Sequence, residues 1–78
     1  MTETAYLLIR LEKNTPADVA RRVRRVPGVV EAAVTMGDAV DILAIAKDDS
    51  TKGFASISQQ VKAIEGVSSV SVCVVVRP

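Results

Sequence analysis

The sequence predicts an α+β domain with elements in the order β-α-β-β-α-β: a four-stranded antiparallel sheet with two helices on one face. Three observations predict it. Apolar residues recur at spacings of three and four in two segments, the mark of helices with one buried stripe. Four short runs rich in Val, Ile, Leu and Ala flank them as strands. Six apolar or glycine positions also recur at one offset of 38 residues. With 78 residues, the chain is expected to form one domain over residues 1–78, because a domain usually needs ~100–150.

Ala5 to Leu11 is the first strand, an apolar run rich in strand formers. Asn14-Thr15-Pro16 punctuates the chain. Thr15 is a good helix N-cap, Pro16 suits the first helical position, and Asp18 falls in the first turn, where the helix dipole favours it. Val19, Val23 and Val26 form the stripe of the first helix, which Pro27-Gly28 ends. Val29 to Met36 is the second strand, Gly37-Asp38-Ala39 a turn, and Val40 to Lys47 the third strand. So short a connection makes an antiparallel hairpin. Asp48-Asp49-Ser50-Thr51 supplies capping candidates for a second helix with Phe54, Ile57, Val61 and Ile64 as its stripe. Glu65-Gly66 stops it, and Val67 to Val76 is the fourth strand.

Val23, Val26, Gly28, Val29, Ala32 and Val34 superpose on Val61, Ile64, Gly66, Val67, Val70 and Val72. Each half is then strand, helix, glycine, strand. Two such halves make a ferredoxin-like split β-α-β arrangement.

Alternation assigns the sheet faces. Val70, Val72, Val74 and Val76 are expected under the helices, and Ser71, Cys73, Val75 and Arg77 on the other face. A two-residue turn would pair Val34 with Asp41 and bury a carboxylate among valines, which is costly without a partner. A three-residue turn instead pairs Val34 with Ile42 and puts Asp41 away from the core. On that register the open face carries Tyr6, Leu8, Leu43, Ile45, Cys73 and Val75. Both helices are needed on the opposite side, so an apolar face is left to water, and dimerisation through it is expected. A chain this short is near the limit for a self-sufficient core, which also favours self-association.

Composition narrows the chemistry. Hydrophobic residues make up 49% of the chain, which excludes disorder. There is one cysteine and no histidine, so neither a disulfide framework nor a zinc site is supported. No cofactor is implied. The run Val67 to Val76 is too short for a membrane helix, which needs ~20 residues. Met1 to Ala5 does not read as a signal peptide, so a cytoplasmic setting is expected.

Net charge is +1, with no basic excess for nucleic acid. Arg21, Arg22, Arg24 and Arg25 therefore read as a solvated helix face. Cys73, without a base or cation beside it in the sequence, reads as a packed or interface thiol. Asp38, Asp41, Asp48 and Asp49 lack a metal-loop spacing and read as turn and cap residues. No nucleophile–base pair or phosphate loop is present, and no enzymatic activity is expected. Asp41 stands out. A carboxylate opening an apolar strand is either an exposed strand end or a polar anchor for an ammonium group or an arginine.

The runs Gly28-Val29-Val30-Glu31-Ala32-Ala33-Val34, Gly37-Asp38-Ala39-Val40-Asp41-Ile42-Leu43-Ala44 and Ile64-Glu65-Gly66-Val67-Ser68-Ser69-Val70 resemble the ligand-binding RAM domain of the Lrp/AsnC (leucine-responsive, feast/famine) regulators. The resemblance spans nearly the whole chain. It implies the ferredoxin-like fold, dimers formed by sheet-to-sheet packing as in dimeric α/β barrels, octamers of four such dimers, and amino-acid effectors held between dimers near the hairpin turn. On this chain the turn matches Gly37, Asp38, Ala39 and Asp41. The family's N-terminal helix-turn-helix domain is not in this sequence. The resemblance thus implies a stand-alone module in transcriptional or metabolic regulation, associating with full-length regulators. Two positions depart from the family pattern. Gly37 and Asp41 are one residue further apart, with Val40 in place of an aromatic, and Val70 and Val72 stand where threonines are frequent.

Three rivals share the element order or the assembly. An ACT domain also binds amino acids, but pairs its sheets edge to edge. A dimeric α/β-barrel enzyme would want a catalytic histidine. A purely structural assembly module would bind no ligand.

Overall fold

A computed structural model describes residues 2–12 and 15–76. Asn14 and Arg77, expected in the first loop and on the open face, lie outside the described residues. The elements are β1 (Glu3–Leu11), α1 (Pro16–Arg24), β2 (Val29–Val34), β3 (Ile42–Asp48), α2 (Lys52–Lys62) and β4 (Val67–Val74). The strands form one sheet in the order β2-β3-β1-β4, every pairing antiparallel. This is the ferredoxin-like arrangement.

Both helices pack on one face, α1 over β2 and β3, α2 over β4 and β3. Their buried residues are the expected stripes: Val19 and Val23 from α1 with Val26 just beyond it, and Phe54, Ile57 and Val61 from α2. Beneath them lie Ala5, Leu7 and Ile9 of β1 and Ile42, Ala44 and Ala46 of β3, all fully buried. The small alanines let the helices approach the central strands closely. Leu7, Ile9 and Ile42 contribute roughly 1.5–3 kcal/mol each through burial.

Thr15 takes the N-cap position of α1 through its backbone. Its carbonyl accepts from the amides of Asp18 (3.0 Å) and Val19 (3.2 Å), but its side chain makes no cap bond. Asp18 pairs with Arg21 one turn on.

The 38-residue repeat is structural in detail. Gly28 and Gly66 both have φ 97°, a conformation open to glycine and strained for other residues. The Val29 amide donates to Val26 O at 3.0 Å, as Val67 does to Ile64 O at 3.1 Å. Gly28 O accepts from Lys47 N and Gly66 O from Glu12 N, both at 2.8 Å. Each half also carries a register shift just after this glycine, leaving Val30 as the extra residue in β2 and Ser68 in β4.

The register of the hairpin is the expected one, with Val34 opposite Ile42. The strands stop earlier than expected, at Val34 and Ile42 rather than Met36 and Val40. Residues 35–41 form a loop closed at its base, where Thr35 N donates to Asp41 O (2.9 Å) and Thr35 Oγ1 to Val40 O (3.0 Å).

The β4 valines need a correction. Val70, Val72 and Val74 do face the helix side, opposite Ile9, Leu7 and Ala5. Val72 and Val74 nevertheless remain 36% and 38% exposed, and Val76, past the strand end, is 86% exposed. Two short helices cannot roof four strands to their ends, and the edge strand loses most cover.

Candidate functional site

The face of the sheet away from the helices is bare. Cross-strand register arranges it in rows: Glu31, Ile45, Tyr6 and Cys73 form one, and Ala33, Leu43, Leu8 and Ser71 the next. Leu8, Leu43 and Ile45 are half-buried by their neighbours, whereas Tyr6 and Cys73 are exposed. Val75 extends the patch beyond the end of β4, its amide bonded to Thr4 O at 2.8 Å. Branched and aromatic side chains thus cover the middle of the face, with Glu31, Lys47 and Arg10 as a charged rim. The thinnest dimension of the molecule is 17 Å, room for one helix layer on one sheet.

The hairpin loop lies at one corner of this face. Gly37, Asp38 and Ala39 are exposed, and a Cβ on Gly37 would meet nothing within 4 Å. Asp41 is not free. Its amide donates to Ile9 O (2.9 Å) and its carboxylate Oδ2 accepts from Leu11 N (2.8 Å). That carboxylate therefore satisfies a strand amide that β3 no longer reaches. This is a structural reason for an acid at the start of an apolar strand, and it keeps the carboxylate clear of the valine core. The same Oδ2 lies 3.8 Å from Arg10 Nε, an ion pair with both side chains part-exposed.

Arg10 is the residue that sequence reasoning misses. Its Nη1 donates to the carbonyl of Asp38 at the loop tip, while its Nε faces Asp41. A signal for it does exist in the sequence. Arg10 alternates with Tyr6 and Leu8 on the open face, where Asp41 is also expected, with an arginine as one possible partner.

The arginines of α1 are not uniformly solvated either. Arg24 turns back to β2, where Nε (3.0 Å) and Nη2 (2.8 Å) both donate to Ala32 O. Since β2 is an edge strand, this guanidinium fills a carbonyl that an incoming strand could otherwise use.

Two clefts lie elsewhere. One of about 580 Å³ is lined by Thr2, Glu3, Thr4, Thr51 and Val74 to Val76, at the opposite end of β1 from the loop. A smaller one of about 160 Å³ lies between the start of α1 and Glu65. Neither is lined by Gly37, Asp38, Ala39 or Asp41. Among the described residues no cluster of three or more Cys, Asp or Glu could hold a metal ion. Asp48 serves as a turn residue, its Oδ1 accepting from Ser50 N at 3.1 Å. No helix among the described residues is long and apolar enough to cross a membrane.

Solved structures share this architecture. TTHA0845 of Thermus thermophilus superposes with a TM-score of 0.87 at 22% identity, over 97% of this chain and 95% of that one. The Escherichia coli regulator AsnC gives 0.85 at 15% identity, over 97% of this chain and 52% of its own. The transcriptional regulator NMB0573 of Neisseria meningitidis, solved as a complex with L-Met, gives 0.79 at 19% identity, over 96% and 50%. The chain thus spans about half the length of these two regulators. At such identities the likeness establishes the fold. The sequence matches none of the curated proteins with which it was compared. Residues 4–78, however, match the Lrp/AsnC ligand binding domain, and the chain belongs to that family.

Proposed function

We propose that residues 1–78 act as one non-catalytic, effector-binding and oligomerising module of cytoplasmic transcriptional or metabolic regulation. The observation that carries this reading is the bare apolar face with a polar loop at its rim, in a member of a ligand-binding family. Two chains pack face to face through Tyr6, Leu8, Leu43, Ile45, Cys73 and Val75. The Gly37, Asp38, Ala39 and Asp41 loop then borders the partner, and an open surface becomes a walled site. An amino acid is the proposed effector, with the Asp41 carboxylate as anchor for its ammonium group. Full-length regulators of the family are the proposed protein partners, with dimers assembling further into octamers. The guarded β2 edge supports face packing over edge pairing, because Arg24 fills Ala32 O and the extra residue Val30 breaks the ladder there.

Mass determination by light scattering, with and without each of the twenty free amino acids, tests the reading. A dimer or larger assembly that changes size or melting temperature with one amino acid is expected. A stable monomer at micromolar concentration would remove the assembly half of the reading. An oligomer indifferent to every amino acid would remove the effector half and favour a structural module.

A further inference from the structure

The Gly37–Asp41 loop is tied to the body at both its ends and at its tip, and the Asp41 amide anchors its C-terminal end to Ile9 O. Thr35 closes its base, the Leu11 amide holds the Asp41 carboxylate, and Arg10 reaches its tip through the Asp38 carbonyl. Among the contacts of the described residues, the Arg10 tie is the one that reaches residues 37–39. The guanidinium therefore bridges two points of the loop, Asp38 and Asp41, that backbone bonding leaves separate. A fork of five N–H donors suits such a bridge, and a point charge does not. The register shift between β1 and β4 falls beside Arg10, with the extra residue, Ser68, on β4.

We propose that Arg10 is the positioning residue of this loop and the group that recognises the carboxylate of the bound ligand. The second half rests on the effector-site reading above. The Arg10 side chain remains 46% exposed and alternates onto the same face as Tyr6 and Leu8, which leaves part of its guanidinium open to a ligand at the proposed subunit boundary. An α-amino acid laid antiparallel to the Arg10–Asp41 pair meets an opposite charge at each end. Its carboxylate lies on the guanidinium and its ammonium on Asp41. The site then selects zwitterions over simple amines or simple acids.

The test uses the full chain as wild type, R10Q and R10K, with two readouts. Backbone ¹⁵N order parameters of Gly37, Asp38 and Ala39 are measured without ligand. In R10Q they should fall from an ordered value to below about 0.6, with Leu7 and Ile42 unchanged. R10K keeps the charge beside Asp41 but loses the fork, and should be intermediate. A general loss of structure would instead lower all positions together.

The second readout is calorimetric titration with the twenty amino acids, and with the amine and acid analogues of the tightest binder, each lacking one charged group. R10Q should weaken the amino acid about tenfold or more, as expected on losing a charge-assisted bond. It should change the weak binding of the amine analogue, which has no carboxylate for Arg10 to meet, by a much smaller factor. Unchanged order parameters in R10Q would overturn the positioning role. Equal amino-acid affinity in wild type and R10Q would overturn the recognition role. Binding of no amino acid by wild type would remove the effector reading and the recognition role with it, while the order parameters still decide positioning.

Discussion

Replacing Asp41 by asparagine and by alanine should separate its structural bond from its charge. The carboxylate Oδ2 accepts from the part-buried Leu11 amide at 2.8 Å and lies 3.8 Å from Arg10 Nε. Asparagine keeps an acceptor of nearly the same shape. It loses only the charge assistance and a part-exposed ion pair, which is worth ~0–1 kcal/mol after solvent screening. Alanine also leaves the Leu11 amide without its acceptor, a loss of about 1–3 kcal/mol. We therefore expect D41N to cost about 0.5–1 kcal/mol and D41A about 2–3 kcal/mol. Urea unfolding at one fixed protein concentration measures both, the concentration being held because the stability of any self-associating chain depends on it. With a slope of ~1 kcal/mol per molar urea for so small a chain, D41A should lower the midpoint by ~2–3 M and D41N by ~0.5–1 M. Equal midpoints for the two variants would refute the idea that the carboxylate caps the strand. The pair also makes D41N the cleaner variant for ligand titration, since D41A changes the loop it is meant to probe.

The geometry sets three further expectations. Gly28→Ala should destabilise by about 2–4 kcal/mol, since φ 97° strains any Cβ and this one would lie 2.6 Å from Ile57 Cδ1. Adding Ile57→Val should recover part of the clash but none of the backbone strain, read by thermal unfolding. Ile45→Asp, mid-face beside Tyr6, should shift light-scattering mass to that of a single chain while circular dichroism stays native. Cys73 should then label with maleimide at least several-fold faster than in the wild type, if the proposed face-to-face packing covers it there. Arg24→Ala should cost about 1 kcal/mol through the lost bonds to Ala32 O. It should also raise the tendency to form larger, strand-paired aggregates, followed by light scattering over days.

Much of the architecture is legible in the sequence because it rests on periodicity. The helical stripes, the Val34–Ile42 register and the 38-residue repeat depend on the placement of apolar residues and glycines, which a sequence displays directly. Contacts made by the far ends of long side chains are not legible. Arg24 reads as one of four solvated arginines, yet it reaches back to a strand carbonyl 8 residues on. Arg10 is given no role by the sequence beyond its place in the first strand, yet it spans to a loop residue 28 positions away. The exposure of Val72 and Val74 escapes for a different reason. Alternation names the face a residue points to, but not whether a helix is wide enough to cover it. Asp41 needs an explanation even in the bare sequence, and the structure supplies one in the Leu11 amide.

The internal repeat has a consequence for connectivity. Every ladder in the sheet joins one half of the chain to the other: β2 to β3, β3 to β1, and β1 to β4. Neither half contains two strands that are neighbours, so neither can form sheet without its complement. That complement need not come from the same chain. The loop of residues 35–41 is the sole covalent link between the halves, and a shortened or stiffened link would favour exchange of halves between two chains, each completing the other's sheet. The bonds from Arg10 and Leu11 to Asp38 and Asp41 cross the same boundary, and they hold the chain folded back on itself rather than opened toward a neighbour.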